Sequence, residues 1–262
     1  MKRIISWFLR SVPRHWLHSV APIGGKVISL FLRGNNFEDP ITGITYRKML
    51  PYGRVSSRPN ALAPDSLSLE RHRLLWMYLK KKTDFFSTPA RMLHMAPEYC
   101  FMHRFRAMDH LDYVTADLNS PWADVHCDIC ALPFEDDSFD IVFCNHVLEH
   151  IEDDQKAMQE LFRVLKPGGW AMLQVPINYN NETTYEDSTI TDPKERELHF
   201  WQDDHYRLYG RDYATVLQTI GFESSEYDFI SEFSEGEVRK YGFMREEKIY
   251  TVQKPALVPA AG

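Results

Sequence analysis

Residues 128–176 read DICALPFEDDSFDIVFCNHVLEHIEDDQKAMQELFRVLKPGGWAMLQVP, and this stretch decides the fold. Phe139 to Cys144 is a short, almost wholly apolar run, the signature of a buried strand. From Asp153 to Leu165 the apolar residues Ala157, Leu161 and Val164 or Leu165 fall on one helical face, and Lys166-Pro167-Gly168-Gly169 stops that helix with glycine at its C-terminal end. Trp170 to Val175 is the next strand. Upstream, Arg91 to Ala96, Tyr113 to Ala116 and the short Val125 to Asp128 read the same way; downstream, Tyr209 to Ile220 is a helix ended by Gly221. Ile249 to Val252, with Phe243 upstream, suggests a closing pair of strands. Short apolar runs alternating with segments of helical period predict an α/β, doubly wound, mostly parallel sheet with helices on both faces.

Open parallel sheets bind ligands at the carboxyl ends of their strands, near the point where strand order reverses. The first strand is followed by Ala96-Pro97-Glu98, and the second ends at Asp117, about 21 residues past Ala96, where an acid can accept hydrogen bonds from both hydroxyls of a ribose. Asp128 follows the third strand. Asn145-His146-Val147-Leu148-Glu149-His150 follows the fourth. The succession of an acid, LPF, SFD, a strand, LEHI, a helix, LKPGG and a further strand resembles the core of class I S-adenosylmethionine-dependent methyltransferases of type 11, which implies a Rossmann-like sheet and S-adenosylmethionine as cofactor. The resemblance assigns Asp117 to the cofactor ribose and Asp128 to the adenine amino group, with Ile129 packing on the ring. It places Asn145 and His146 along the methionine part.

One departure stands out. The family's first loop is usually glycine-rich, and those positions here hold Ala96, Glu98 and Cys100. Glycine permits close backbone approach to a ligand. LHMAPE nevertheless resembles a variant first motif of a bacterial subgroup in which Ala-Pro-Glu is the norm. The Glu98 carboxylate suits the cofactor's ammonium; its other reading is a helix N-terminal acid favoured by the dipole.

The string RPNALAPDSLSLERHRLLWMYL resembles the same subgroup, whose members carry a zinc ribbon there with two CxxC pairs. Here Asp39, Thr42, Ala63 and Ser66 occupy the corresponding positions. Without thiolates the expectation is a degenerate ribbon-like module that folds without metal. A helix follows from Ser68 to Lys82, capped by Ser66 or Ser68. HFWQDDHYRLYGRDY, residues 199–213, also resembles the subgroup and lies where an acceptor lid would sit. His199, Asp204 and His205 are candidates to deprotonate an acceptor hydroxyl, with Arg207 holding an anionic group. Against this stands a structural Asp204–Arg207 pair, with Tyr209 and Tyr213 in the core.

The chain has 262 residues, of which 44% are hydrophobic and 26% charged. That composition excludes disordered and fibrous classes. Thirty Lys and Arg against 37 Asp and Glu, a net charge of −7, argue against a nucleic-acid partner. Four cysteines are too few to staple the chain and favour a cytoplasmic setting. Cys127 and Cys130 form a lone CxxC that reads as a buried strand end, so no metal site is expected. No GxGxxG follows the first strand, which disfavours a nicotinamide dehydrogenase.

The expected organisation is a basic arm over residues 1–37, the ribbon-like module with its helix over 38–88, the methyltransferase domain over 89–254 and a tail over 255–262. In the arm, a helix from Ile4 to Val20 places Ile5, Leu9, Val12, Trp16 and Val20 on one face and Arg3, Arg10 and Arg14 on another, the pattern of a helix lying on a membrane surface. Pro13 opposes it, and an arm packed on the protein's own core is the competing reading. Two functions follow: methyl transfer to a small-molecule or carbohydrate-like acceptor, or a non-catalytic binding or scaffold protein that keeps the fold. The oligomeric state is not legible.

Overall fold

The computed structural model describes residues 14–53 and 57–256, with side chains from residue 21 onward. The helix expected from Ile4 to Val20 therefore lies mostly outside the described residues. Helix α1, Arg14–Leu32, runs past Val20 and contains Pro22.

The chain divides into two compact units. The second, residues 87–98, 104–228 and 248–262, holds the central sheet. Its strands are β5 (Ala90–Met95), β6 (Leu111–Asp117), β7 (Val125–His126), β8 (Phe139–Asn145), β9 (Leu165–Gln174), β12 (Glu223–Tyr227) and β13 (Ile249–Gln253). Their order is β12-β13-β9-β8-β5-β6-β7. The pairs β8–β9, β5–β8, β5–β6 and β6–β7 are parallel, whereas β13 runs antiparallel to both neighbours. Strand order reverses between β5 and β8, so the doubly wound α/β fold expected from the apolar runs is the one observed.

The core follows from the same runs. Phe139, Val142 and Cys144 of β8 are buried with Leu93, Ala171 and Leu173. Each such aliphatic or aromatic side chain contributes about 1.5–3 kcal/mol by leaving water. Helix α4, Asp154–Val164, buries Ala157, Met158, Leu161 and Val164, and Asp153 caps it by accepting from the Lys156 amide at 2.9 Å. The helix ends before the LKPGG segment, which leads into β9 instead of stopping the helix. Gly168 adopts φ +79°, and a Cβ on Gly169 would stand 2.9 Å from the Asp140 carbonyl. The last strand's partner is β12 and not the Phe243 segment.

Between β9 and β12 lie a two-stranded ribbon, β10 (Tyr185–Glu186) with β11 (Arg207–Leu208), helix α5 (Pro193–Phe200) and helix α6 (Tyr213–Ile220). The helix expected to begin at Tyr209 begins at Tyr213, because Arg207 and Leu208 are committed to β11. Tyr209 and Tyr213 are both buried in the core.

The first unit comprises residues 1–86, 99–103 and 229–247, so 99–103 and 229–247 group apart from the expected 89–254 domain. It contains two ribbons, β1 (Arg33–Asp39) with β2 (Ile44–Tyr46) and β3 (Leu50–Tyr52) with β4 (Arg58–Leu62), then α2 (Glu70–Lys82). Leu69, and neither expected serine, occupies the N-cap position of α2; its side chain accepts nothing, and its amide donates to His72 Nδ1 at 3.1 Å. Of the four positions aligned with zinc ligands, buried Asp39 accepts from Thr42 Oγ1 at 3.0 Å and from Ser68 Oγ at 3.3 Å, and Ser66 Oγ accepts the Ser68 amide at 3.0 Å. The Ser68 hydroxyl thus joins two turns 29 residues apart. Buried Arg73 adds donations to the carbonyls of Ala61, Ser68, Tyr241 and Gly242.

Candidate active site at the carboxyl edge of the sheet

Sheet register brings the sequence-predicted residues into one row. Ala116, Met95, Cys144 and Leu173 are successive partners across β6, β5, β8 and β9. One step further along each strand come Asp117, Ala96, Asn145 and Gln174, at the carboxyl edge. Asp117 and Asn145 sit two strands apart, roughly 10 Å at the usual strand spacing. Ala96 and His146, which follow the two strands flanking the reversal, both have left-handed backbone (φ +46° and +54°). Their amides donate to the carbonyls of Ala116 at 2.8 Å and Gln174 at 2.7 Å. A non-glycine residue in that region costs about 1–2 kcal/mol, so the backbone still imposes the turn usually served by glycine although the side chain has changed.

The cofactor-side carboxylates are each tethered. Glu98 is bonded to Nε2 of fully buried His94, and its Oε1 accepts from Asn145 Nδ2 at 3.1 Å; His94 Nδ1 lies 2.7 Å from the Tyr113 hydroxyl. Buried Asn145 keeps its Oδ1 without a hydrogen-bond partner. Asp117 Oδ1 accepts the amides of Asn119 (2.7 Å) and Ser120 (2.6 Å), and Asp128 Oδ1 accepts that of Cys130 (2.8 Å). These local turns fix each carboxylate. Ile129, expected to pack on an adenine ring, is instead buried in the main core at 4% exposure. The exposed apolar side chain on this edge is Leu118, 62% exposed immediately after Asp117. Sequence reading missed it because isolated leucine carries no signal until its exposure is known.

The segment after β8 is different in kind. Glu149 is 1% exposed, with Oε1 3.3 Å from His146 Nδ1 and Oε2 without a hydrogen-bond partner. Burial pushes its carboxyl up, but the His146 hydrogen bond and the nearby imidazoles outweigh this and hold it below the ordinary value. His205, also 1% exposed, has Nδ1 2.8 Å from the Phe200 carbonyl, which requires Nδ1–H and leaves Nε2 an acceptor; Nε2 has no hydrogen-bond partner. Burial pushes the His205 imidazole down, towards its neutral form. His150 stacks edge-on against His205 at 4.6 Å, with Nδ1 3.4 Å from Asp204 Oδ1.

Arg207 explains the arrangement. It is 1% exposed and donates to the carbonyls of Leu148, Ile151 and Glu152 and to Glu186 through both Nε and Nη2. Its donors are spent on protein groups, so it does not hold an anionic acceptor as expected; it clamps the 148–152 loop. The Asp204–Arg207 pair is not observed either, since Arg207 pairs with Asp154 and Glu186. His199 stands on α5, exposed, against the Tyr185 hydroxyl at 3.0 Å. Of the four residues expected to act on an acceptor, the fold groups Asp204 and His205 with Glu149 and His150. Those last two were quoted in LEHI without a role. Their signal, a charged pair at a strand end, becomes readable only once His205 is seen beside them.

A cavity of about 580 Å³ lies within the first unit, lined by Arg58, Glu70 and Arg245 among others. Of its three guanidiniums, Arg58 is paired with Glu70 at 2.9 Å and Arg245 with Glu235, and Arg239 donates to the Glu235 carbonyl at 3.3 Å. The cavity therefore offers little free charge to a ligand.

Comparison with known proteins places this edge. Residues 89–173 match the family described as "Methyltransferase domain". The chain is 31% identical over 112 residues to a ubiquinone/menaquinone biosynthesis C-methyltransferase of Vibrio campbellii, covering 37% of this chain and 42% of that protein. It is 51% identical over 45 residues to a demethylmenaquinone methyltransferase of Clavibacter sepedonicus, covering 17% and 18%. The chain thus spans less than half the length of these relatives. Among solved structures, the [4+2]-cyclase SpnF superposes with a TM-score of 0.50 at 15% identity, over 91% of this chain and 96% of that one, a likeness of fold alone. Residues 89–173 are thus similar in sequence to methyltransferase domains, and the sheet on which they are mounted shares its fold with the cyclase.

Proposed function

We propose that the chain is an S-adenosylmethionine-dependent methyltransferase acting on a small-molecule or carbohydrate-like acceptor. The observation that carries this reading is the row of tethered polar groups at the strand-order reversal: Asp117, Glu98 and Asn145 on adjacent strand ends. The residues fit the cofactor's chemistry. A ribose diol suits the Asp117 carboxylate, a cationic ammonium suits Glu98 with the unpartnered Asn145 Oδ1, and Leu118 offers an exposed apolar face for a purine. Asp128, fixed by the Cys130 amide, is left to accept from an exocyclic amine.

The cofactor, when bound, supplies an activated methyl on a sulfonium leaving group, so the protein's share is alignment and handling of the acceptor proton. That share falls to the loop that Arg207 holds. His205 presents a buried Nε2, able to take a proton when no metal holds it, beside Glu149 and His150. His199 is left on the exposed face of α5 and takes no part.

Calorimetry with S-adenosylmethionine and its demethylated product tests the reading; folded protein that takes up neither at millimolar ligand removes it. Incubation with candidate acceptors, read by mass spectrometry for a gain of one methyl, identifies the substrate. A non-catalytic scaffold is the second reading, supported by the glycine-poor first loop. It requires that Asp117→Ala leave partner binding intact.

The arm contributes a separate proposal, peripheral membrane contact. On α1 the exposed Ile23, Val27, Leu30 and Phe31 recur at helical spacing, and no described helix is long and apolar enough to cross a membrane. Flotation with anionic liposomes should be lost on Leu30→Glu with Phe31→Glu; equal flotation of both chains ends this proposal.

A further inference from the structure

We propose that Glu149, His150 and His205 form a binding site for a divalent first-row transition-metal ion of the zinc type. One ligand atom from each lies within 4.8 Å of those from the other two, the one such group among the described residues. A tetrahedral zinc site holds its ligand atoms about 3.3 Å apart, and side-chain rotation closes that difference.

Geometry specifies a cation rather than an ordinary polar cluster. Glu149 Oε2 and His205 Nε2 are both buried acceptors without a hydrogen-bond partner. His205 Nε2 is an acceptor because Nδ1 is spent on the Phe200 carbonyl at 2.8 Å. Buried acceptors left unmatched each cost about 1–3 kcal/mol, and two in one cluster call for a shared positive partner. His205 is also oriented as a metal-binding imidazole is: it turns Nδ1 to a carbonyl at 2.8 Å and keeps Nε2 for the cluster, with the His150 ring edge-on against it at 4.6 Å.

Two imidazoles and one carboxylate suit zinc or ferrous iron better than magnesium or calcium, which take oxygen ligands. Arg207 fixes the loop by its Leu148, Ile151 and Glu152 carbonyls, and the Tyr206 amide donates to the Glu149 carbonyl at 2.9 Å, so two ligand-bearing segments are held edge to edge. His150 is only half-buried, which leaves coordination positions open to water or to a ligand oxygen. The proposal rests on this geometry and not on methyl transfer.

The test uses the full chain, stripped with a chelator, incubated with Zn2+, desalted and analysed for metal. Co2+ in place of Zn2+ gives visible ligand-field bands as a second readout. The expected result is one zinc per chain and a raised Tm with added metal. Glu149→Gln and His205→Gln should each weaken binding by more than about 100-fold, beyond the 10- to 100-fold typical of losing a ligand's outer partner. His150→Ala, at a half-exposed position, provides the same readout if a buried variant fails to fold. Replacing Cys127 and Cys130 by serine should leave the stoichiometry at one. Three results overturn the site: no zinc above a metal-free control, undiminished zinc in both Glu149→Gln and His150→Ala, or loss of zinc with the cysteines. None depends on whether S-adenosylmethionine binds.

Discussion

The two sides of the sheet's carboxyl edge are built by opposite rules. On the side of β5, β6 and β7 the Asp117 and Asp128 carboxylates reach solvent while Glu98 is mostly buried, and each is steadied by neighbours that occupy part of it: Asp117 by the Asn119 and Ser120 amides, Asp128 by the Cys130 amide, Glu98 by His94 and Asn145. Beyond β8 Glu149 and His205 are buried, and each retains an atom with nothing to bond. The first pattern prepares a surface for a ligand bearing hydroxyl and amine donors. The second stores unfavourable polarity that only tight backbone restraint can hold in place, and Arg207 provides that restraint.

The sharpest way to break this contrast is Arg207→Ala. Removing a buried guanidinium leaves Glu186 and three carbonyls without their donor and Asp154 without its ion-pair partner, and the expected loss is about 3–5 kcal/mol, read from urea unfolding. A loss under 1 kcal/mol would mean that the loop holds itself. Next comes Asp117→Ala, which should weaken S-adenosylmethionine binding about 10- to 100-fold by calorimetry, the worth of one charge-assisted bidentate contact, with little change in Tm. Unchanged affinity would move the ribose elsewhere.

A smaller effect is expected in acid. Glu160 is held below its ordinary value chiefly by the Arg163 hydrogen bonds at 2.7 and 2.8 Å, and the pair also grips Leu132 and Phe134 next to Asp128. A carboxyl with a lowered folded-state pKa contributes stability above its ordinary 4.5 that is lost as pH falls through the folded value. Urea midpoints between about pH 3 and 6 should therefore fall less steeply in Glu160→Gln than in the parent. Smallest of all is Ala96→Gly. Relief of the left-handed backbone, about 1–2 kcal/mol, is offset by the greater freedom of unfolded glycine, about 0.4–1 kcal/mol. The net gain should stay near 1 kcal/mol, visible as a modest rise in Tm.

What could be read from the chain alone follows the same division. The strands were legible because residues 141–144 of β8 and 170–173 of β9 are unbroken apolar runs and a buried parallel strand needs no partner pattern to be recognised. The acids at strand ends were legible because strand ends fix positions. The segment 199–213 was not, since its ionisable residues carry no periodicity: Arg207 reads as an anion holder until Glu186 is found opposite it, and Tyr209 reads as helix until β11 is seen. Glu149, His150 and His205 are separated by some 55 residues in the chain, and nothing local reports that they converge. Ile129 is buried and Leu118 exposed, a difference that two apolar side chains each beside an acid do not reveal before burial is known.

The Arg207 clamp also fixes an order of events during synthesis. The loop carrying Glu149 and His150 leaves the ribosome 57 residues ahead of Arg207, a delay of about 3–11 s at usual elongation rates of about 5–20 residues per second. Through that interval β5, β6 and β8 can already pair while the loop has neither its guanidinium nor His205. The β5, β6 and β8 side of the carboxyl edge can therefore form before the loop beyond β8 is clamped, and the two sides can mature one after the other.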